Sequence, residues 1–110
     1  MFYVQKKIEL SSAHYLKLNY KSKCSNLHGH NWIVTVYCKS AELDENGMVV
    51  DFTHIKDAIA ELDHTNLNDL LAYNPTAENI AKDIQSLVTN CYKVTVQESE
   101  GNIATYEVTQ

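Results

Sequence analysis

The sequence predicts an α+β fold in which an antiparallel four-stranded sheet carries two helices on one face. Four segments alternate apolar and polar residues with the period of half-buried strands, and two segments repeat apolar residues at helical spacing. Their order along the chain is ββααββ, which favours pairing between neighbouring strands and helices gathered on one side. Because 110 residues support one hydrophobic core, residues 1–110 are expected to form a single domain.

The first half of the predicted sheet comes from two N-terminal segments. Residues 2–10 place apolar side chains mainly at even-numbered positions, which is the pattern of a half-buried strand. Residues 31–39 form the second strand and carry branched and aromatic residues in both phases, so we expect both of its faces to be covered. A loop over residues 41–50, which contains Asn46-Gly47, then reverses the chain.

The first helix is predicted from apolar residues that recur at helical spacing between Phe52 and Leu62. Asp51 or Thr53 is placed to cap its first turn, and the helix is expected to continue for about three turns. A polar loop that ends in Asn74-Pro75 follows it.

The second helix and a C-terminal hairpin complete the pattern. Thr76 is a good N-cap candidate, and an apolar stripe continues from it to about Asn90. Residues 92–98 and 103–108 then alternate as strands on either side of Glu100-Gly101-Asn102, which predicts a hairpin.

Composition and charge narrow the class of protein. The net charge of −5 argues against nucleic-acid binding, which depends on clustered cations. No segment approaches the roughly 20 apolar residues of a membrane span, and the N-terminus enters a strand pattern instead of a signal peptide. The three widely spaced cysteines are a poor disulfide framework and fit a reducing compartment. We therefore expect a cytoplasmic protein that binds neither nucleic acid nor membranes.

Three histidines form the most specific chemical pattern in the chain. His28 and His30 are two residues apart in extended chain, so their side chains point to the same side. His14 keeps the even-numbered phase of the first strand, and all three rings are expected on the apolar face unless a bulge follows Leu10. Imidazole nitrogens suit zinc, and three protein ligands with one open position are typical of catalytic zinc.

Cys24 leaves two interpretations of this site open. It precedes His28 by four residues, so its thiolate could complete a closed structural site of one cysteine and three histidines. A thiolate left free beside the cation would instead be a general base or a nucleophile.

Asp63-His64 and Glu98 are further candidates for chemistry. A carboxylate near an imidazole supports proton transfer, although this pair also suits a helix-end cap. Glu98 should end a strand on the apolar face, where a carboxylate is costly without a partner. The partner is either a buried lysine or backbone amide, or a ligand with adjacent N–H donors. His54 has no such neighbours and is expected to be a solvated helix residue.

Together these residues resemble the 6-pyruvoyl-tetrahydropterin synthase and 6-carboxy-tetrahydropterin synthase family. The matching segments occur in the family's order and cover most of the chain. They are Ser12-Ala13-His14, Cys24-Ser25-Asn26-Leu27-His28-Gly29-His30, Gly47-Met48-Val49-Val50-Asp51-Phe52, Leu62-Asp63-His64 through Leu67-Asn68, Pro75-Thr76-Ala77-Glu78-Asn79, and Glu98-Ser99. Two features depart from the family pattern: Leu10 stands where phenylalanine is common, and the absence of arginine leaves the triphosphate contacts unassigned.

The resemblance implies a tunnelling fold, in which ββααββ subunits form trimers whose sheets close a barrel. Trimers stack into hexamers, and the active sites lie between subunits. The implied substrate is 7,8-dihydroneopterin triphosphate. Seven side chains take on implied roles, which are His14, His28 and His30 as zinc ligands, Cys24, Asp63 and His64 as the proton-transfer set, and Glu98 as the anchor of the pterin ring.

The three-residue spacer between Cys24 and His28 is similar to that of the carboxy-producing branch of the family. The reaction implied by that branch yields 6-carboxy-5,6,7,8-tetrahydropterin and releases acetaldehyde and triphosphate, in queuosine and deazapurine biosynthesis. One alternative is a 6-pyruvoyl-tetrahydropterin synthase, which only eliminates triphosphate. The other is a non-catalytic, zinc-stabilised pterin-binding module in which Cys24 completes the metal shell.

Overall fold

The computed structural model describes residues 1–109, and its four strands form one antiparallel sheet. The strands lie side by side in sequence order and are β1 (Phe2–His14), β2 (His28–Ser40), β3 (Cys91–Ser99) and β4 (Asn102–Glu107). The predicted α+β class and the four-stranded antiparallel sheet are therefore confirmed. Strands β1 and β2 are longer than predicted, so all three candidate histidines lie within strands.

The even-numbered positions of β1 and β2 form the buried face of the sheet. The register between these strands continues from Phe2 opposite Ser40 to His14 opposite His28. Within this described pairing no bulge intervenes, so the phase that begins at Val4 is still the phase of His14. The prediction that His14 lies on the apolar face is confirmed, because its side chain is fully buried there.

The hydrophobic core lies between this face and the helices α1 (Phe52–Ala58), α2 (Leu67–Leu70) and α3 (Ala77–Leu87). Helix α3 packs on β3 and β4, whereas α1 and α2 contact β1. Each fully buried aliphatic side chain contributes about 1.5–3 kcal/mol. The most buried ones come from the central strands and from α1 and α3, and they include Val34, Val36, Val94, Val96, Ile55 and Ile84.

The first helix is shorter than predicted, and its N-cap is Asp51. Helix α1 ends after seven residues, and a separate 3₁₀ turn covers Ala60–Leu62. The route of the following chain explains this break. The Ser11 N–H donates to Asp63 Oδ1 at 2.9 Å, and the His64 N–H donates to the Ser11 carbonyl oxygen at 2.7 Å. These bonds draw the segment onto the free edge of β1, so the helix cannot continue along its own axis.

Residues 1–109 contain three α-helices where two were predicted, because α2 lies in the segment that was expected to be a polar loop. Four residues are too few to show helical periodicity. The second predicted helix corresponds to α3, and Thr76 caps it by accepting a hydrogen bond from the Asn79 N–H. In the C-terminal hairpin Gly101 supplies a φ of +80°. None of the helices in residues 1–109 has the length and apolarity of a membrane span.

Replacing Thr76 with alanine tests the N-cap of α3. The Asn79 N–H loses its acceptor, and we expect the free energy of unfolding to fall by about 1 kcal/mol. Urea unfolding measures this change. Thr109→Ala is the matched control, because Thr109 is exposed beyond β4. Equal losses in the two variants would contradict the cap.

Candidate metal centre

The three histidines converge at one end of the β1–β2 pair. His14 and His28 are register partners, and His30 lies opposite Ser12. One nitrogen from each ring lies within 4.8 Å of the others. Four-coordinate zinc with Zn–N bonds of about 2.0–2.1 Å holds its ligands about 3.4 Å apart, so small ring rotations close the site. The structure thus brings together all three histidines that the sequence singled out.

Backbone carbonyls fix the orientation of two of these rings. Nδ1 of His14 lies 2.8 Å from the Pro75 carbonyl oxygen, and Nδ1 of His28 lies 2.6 Å from the Asn26 carbonyl oxygen. Because a carbonyl oxygen only accepts, each Nδ1 carries the proton and donates. In the neutral rings Nε2 then carries no proton and has a lone pair that can bind a metal. This is the arrangement by which proteins orient a metal-binding histidine.

Two of the ring nitrogens are buried without a hydrogen-bond partner in residues 1–109. They are Nε2 of His14 and Nε2 of His30. A buried polar atom that makes no hydrogen bond is costly, so the fold tolerates this pair only if something else satisfies it. A cation that prefers imidazole nitrogen satisfies both atoms at once. The residues present therefore fit a transition metal ion such as zinc.

Burial also adjusts the protonation of the cluster. Desolvation lowers the pKa of His14 below its usual 6.5, and it outweighs the hydrogen bond to Pro75 and the charge of Glu98, which both raise it. Desolvation likewise lowers the pKa of His30 against the raising effect of Glu98. Both shifts favour the neutral ring, which is the form that binds a metal.

Trp32 forms a wall beside the cluster. Its ring centroid lies 4.7 Å from that of His14 and 5.3 Å from that of His30, in edge-to-face contact. Its indole N–H donates to the Ser12 carbonyl oxygen at 3.0 Å, which ties the wall to β1. Sequence reasoning did not identify this role or that of Pro75. The Pro75 carbonyl is 61 residues from His14, and no side-chain pattern marks a carbonyl oxygen.

Cys24 lies outside the histidine cluster. It occupies an exposed 3₁₀ turn, Lys23–Ser25, and the group of candidate metal ligands within residues 1–109 does not include it. The turn is nevertheless anchored beside the end of β1, because the Leu16 N–H donates to the Cys24 carbonyl oxygen at 2.7 Å. This placement disfavours a closed site of one cysteine and three histidines and leaves the thiol free.

Asp63 and His64 lie at the edge of β1. Asp63 Oδ1 accepts from the Ser11 N–H, and Asp63 Oδ2 lies 3.5 Å from Nε2 of His64. The Asp63 N–H donates to the Ala60 carbonyl oxygen and caps the 3₁₀ turn, as the helix-cap interpretation expects, while the Asp63 carboxylate binds a strand backbone. His64 has a φ of +54°, a left-handed conformation that non-glycine residues rarely adopt away from turns and functional sites. A cleft of about 520 Å³ is lined by both His64 and His30.

Glu98 lies at the end of β3 and faces the cluster. Its Oε1 is 3.4 Å from Nε2 of His30, and its Oε2 is 3.6 Å from Nε2 of His14. The prediction that this carboxylate ends a strand on the apolar face is confirmed. Within residues 1–109 these two rings are the basic groups that the carboxylate faces, and no lysine forms an ion pair with it. Glu98 also lines a second cleft of about 430 Å³, together with Glu78 of α3 and Thr105 of β4.

An antiparallel sheet that carries three converging histidines and a facing carboxylate defines a small α+β protein with a candidate metal site. Over residues 3–109 the chain matches the 6-pyruvoyl tetrahydropterin synthase family, and it belongs to that family. The structure superposes on the 6-pyruvoyl tetrahydropterin synthase of Caenorhabditis elegans with a TM-score of 0.77 at 27% identity, covering 98% of this chain and 96% of that chain. The predicted tunnelling fold of the subunit is thereby confirmed.

Several curated relatives carry the name 6-carboxy-5,6,7,8-tetrahydropterin synthase. The Bacillus subtilis enzyme is 29% identical, and the match covers 96% of this chain and 84% of that protein. A putative one from Archaeoglobus fulgidus is 41% identical over 71% of this chain and 73% of that protein. Another from Pyrococcus horikoshii is 48% identical over 56 residues. That last match spans 51% of this chain but only 35% of the Pyrococcus protein.

Removing one imidazole should abolish tight metal binding. We expect His28→Gln to retain less than stoichiometric zinc after equilibration and desalting, since two imidazoles hold zinc far more weakly than three. Elemental analysis measures the bound metal. His54→Gln is the control, because His54 is exposed on α1. A zinc content in His28→Gln equal to that of the wild type would contradict the assignment of His28 as a metal ligand.

The stability of the metal-free protein should decrease as the pH falls below about 6.5. The lowered pKa values of His14 and His30 mean that the unfolded chain binds more protons between the folded and unfolded values. The stabilisation is fully present above the pKa that these histidines have in the unfolded chain. It is lost as the pH falls through the lower pKa that they have in the folded protein. Urea unfolding at about pH 7.5 and about pH 5.5 measures the decrease. The unfolding free energy of His14→Gln should decrease less between these two pH values than that of the wild type. An equal decrease in both proteins would refute this linkage.

Proposed function

We propose that the protein is a zinc-dependent 6-carboxy-tetrahydropterin synthase acting on 7,8-dihydroneopterin triphosphate. From this substrate and water it forms 6-carboxy-5,6,7,8-tetrahydropterin, acetaldehyde and triphosphate, in queuosine and deazapurine biosynthesis. The observation that carries the proposal is the convergence of three imidazoles with Glu98 between the two clefts. Family membership supports a pterin substrate, and the names of the curated relatives support the carboxy-forming reaction.

The cleft beside Glu98 supports a site for the pterin ring. A carboxylate accepts two parallel N–H bonds, which matches the guanidine-like edge of a pterin. The other walls of this cleft include Ala77 and Ile103, which offer apolar surface to a flat ring. Its volume of about 430 Å³ lies in the range of small-molecule sites. A ring held here would direct its side chain toward the histidines, since Glu98 is adjacent to two of them.

His14, His28 and His30 would hold the zinc ion, which when bound supplies Lewis-acid polarisation of the hydroxyl groups on the substrate side chain. Cys24, Asp63 and His64 are assigned as the proton-transfer set. The Cys24 thiolate takes a carbon-bound proton, and its free, exposed position on the Lys23–Ser25 turn supports this role.

Asp63 and His64 complete this set at the edge of β1. The Ser11 N–H holds the Asp63 carboxylate in place, and that carboxylate stabilises His64 when the ring takes a proton. His64 and His30 face the same cleft, so a substrate group beside the metal ligands is exposed to the His64 ring.

Self-association through the sheet edges is part of the proposal. Strands β1 and β4 lie at the two edges, and Phe2, Tyr3 and Ile103 on them are 48%, 64% and 59% exposed. Sheet edges that no further strand covers and exposed apolar side chains favour pairing with further copies of the chain, as in the trimers and hexamers that the family implies. The active sites would then lie between subunits. The three free cysteines support a cytoplasmic location.

A 6-pyruvoyl tetrahydropterin synthase is the second candidate. The close superposition on the Caenorhabditis elegans enzyme of that name favours it. The non-catalytic module is less well supported, because it requires Cys24 in the metal shell and Cys24 lies outside the cluster.

Identification of all products tests this function. Zinc-loaded protein incubated with 7,8-dihydroneopterin triphosphate should release acetaldehyde and triphosphate. A diketo pterin without acetaldehyde would favour the second candidate, and no turnover at all would reject both.

Cys24→Ala should lower turnover by about 100-fold or more while zinc content is unchanged. Ser25→Ala on the same exposed turn is the matched control, and loss of zinc from Cys24→Ala would contradict the role as base.

A further inference from the structure

Glu98 has contacts that the anchoring of a ring does not explain. Each of its two carboxylate oxygens faces a different histidine of the cluster, at 3.4 Å and 3.6 Å from Nε2. An N–H···O hydrogen bond places these atoms about 2.7–3.2 Å apart. The carboxylate therefore approaches both rings without hydrogen-bonding either of them.

The tautomer of His14 makes a direct contact with Glu98 unfavourable. The Nδ1–H of His14 donates a hydrogen bond to the Pro75 carbonyl oxygen at 2.8 Å, so Nε2 of the neutral ring carries a lone pair. A carboxylate oxygen and a nitrogen lone pair repel each other when nothing lies between them. A metal cation between the two atoms replaces this repulsion with two attractions.

The distances from Glu98 to His14 and His30 agree with such a cation, whereas the ligand atoms that lie within 4.8 Å of one another are those of the three histidines without Glu98. Metal–ligand bonds of about 2.0–2.1 Å in tetrahedral coordination place neighbouring ligand atoms about 3.3–3.4 Å apart. The two oxygen–nitrogen distances, 3.4 Å and 3.6 Å, are close to this separation. The nitrogens concerned, on His14 and His30, are also the two buried atoms that make no hydrogen bond in residues 1–109.

We infer that Glu98 is an exchangeable fourth ligand of the metal. In the substrate-free protein its carboxylate closes the coordination position that the histidines leave open. It leaves the metal when a pterin ring enters the neighbouring cleft, and this exchange rests on the proposed function. The position of Glu98 permits both states. Its side chain is 25% exposed, it lies at an irregularity in the β3–β4 pairing, and it lines the cleft as well as the cluster.

The exchange would couple ring recognition to activation of the metal. While Glu98 is a ligand, the metal has no open position for water or other small ligands. Binding of the ring withdraws the carboxylate and opens the position only when a substrate is in place. The same residue would thus bind either the metal or the ring.

Cobalt(II) absorption is the direct test, because its d–d bands report coordination number and ligand charge. The wild type, Glu98→Gln and Glu78→Gln are loaded with cobalt, and their zinc affinities are measured by competition with a chelator. Glu78 lines the same cleft from the first turn of α3, so Glu78→Gln removes an equal charge nearby. We expect Glu98→Gln to alter the bands and to weaken zinc binding by about 10-fold or more. The three histidines should still hold one zinc at saturation.

Unsubstituted pterin, which lacks the reactive side chain, tests the exchange itself. Added to the cobalt-loaded wild type, it should shift the bands toward those of Glu98→Gln. Bands and zinc affinities that are equal in wild type and Glu98→Gln would overturn the ligand assignment, even if the product assay succeeds. A wild-type spectrum that pterin leaves unchanged would overturn the exchange. Failure of turnover alone, with the spectral difference intact, rejects the proposed reaction and supports the ligand assignment.

Discussion

The uninterrupted register between β1 and β2 determines where the histidines lie. Side chains alternate between the faces of a sheet, so a slip of one residue would move His14 away from His28 and His30 and onto the opposite face. The register is held by the burial of Leu10, Trp32 and Val34 in the same phase, at positions that adjoin the histidines along both strands. The hydrophobic effect that forms the core therefore also aligns the candidate ligands.

Burying the three imidazoles costs desolvation free energy, and hydrogen bonds to backbone carbonyls partly offset it. Desolvation favours neutral rings, and the carbonyls of Pro75 and Asn26 select the tautomer that leaves Nε2 free. Pro75 is set by the start of α3, where Thr76 caps the first turn. The hydrogen bond from His14 to Pro75 thus connects the end of β1 to the N-terminus of α3. Two buried nitrogens remain without hydrogen-bond partners in residues 1–109, and a bound metal would remove this part of the cost.

The site lies where three parts of the fold meet. The ends of β1 and β2 supply the imidazoles, the end of β3 supplies Glu98, and the segment drawn onto the β1 edge supplies Asp63 and His64. Each cleft contacts the cluster through a different residue, His30 on one side and Glu98 on the other. Under the proposed function, a substrate with a flat ring and a polar chain would lie across the histidine cluster. Glu98 would then lie between the metal and the ring, so the two binding events would influence each other.

The sequence by itself determined the features that depend on local periodicity. The strand phases placed His14, His28, His30 and Glu98 on the apolar face, and Thr76 was identified as a helix cap, because these follow from side-chain spacing along a regular backbone. Only the tertiary structure decided which carbonyl orients His14, where the first helix breaks, and that Glu98 reaches two histidines. These features depend on contacts across 50 or more residues, such as Ser11 with Asp63 at a separation of 52 and His14 with Pro75 at 61. Backbone groups are chemically alike in every residue, so the choice among them is made only when the chain has folded.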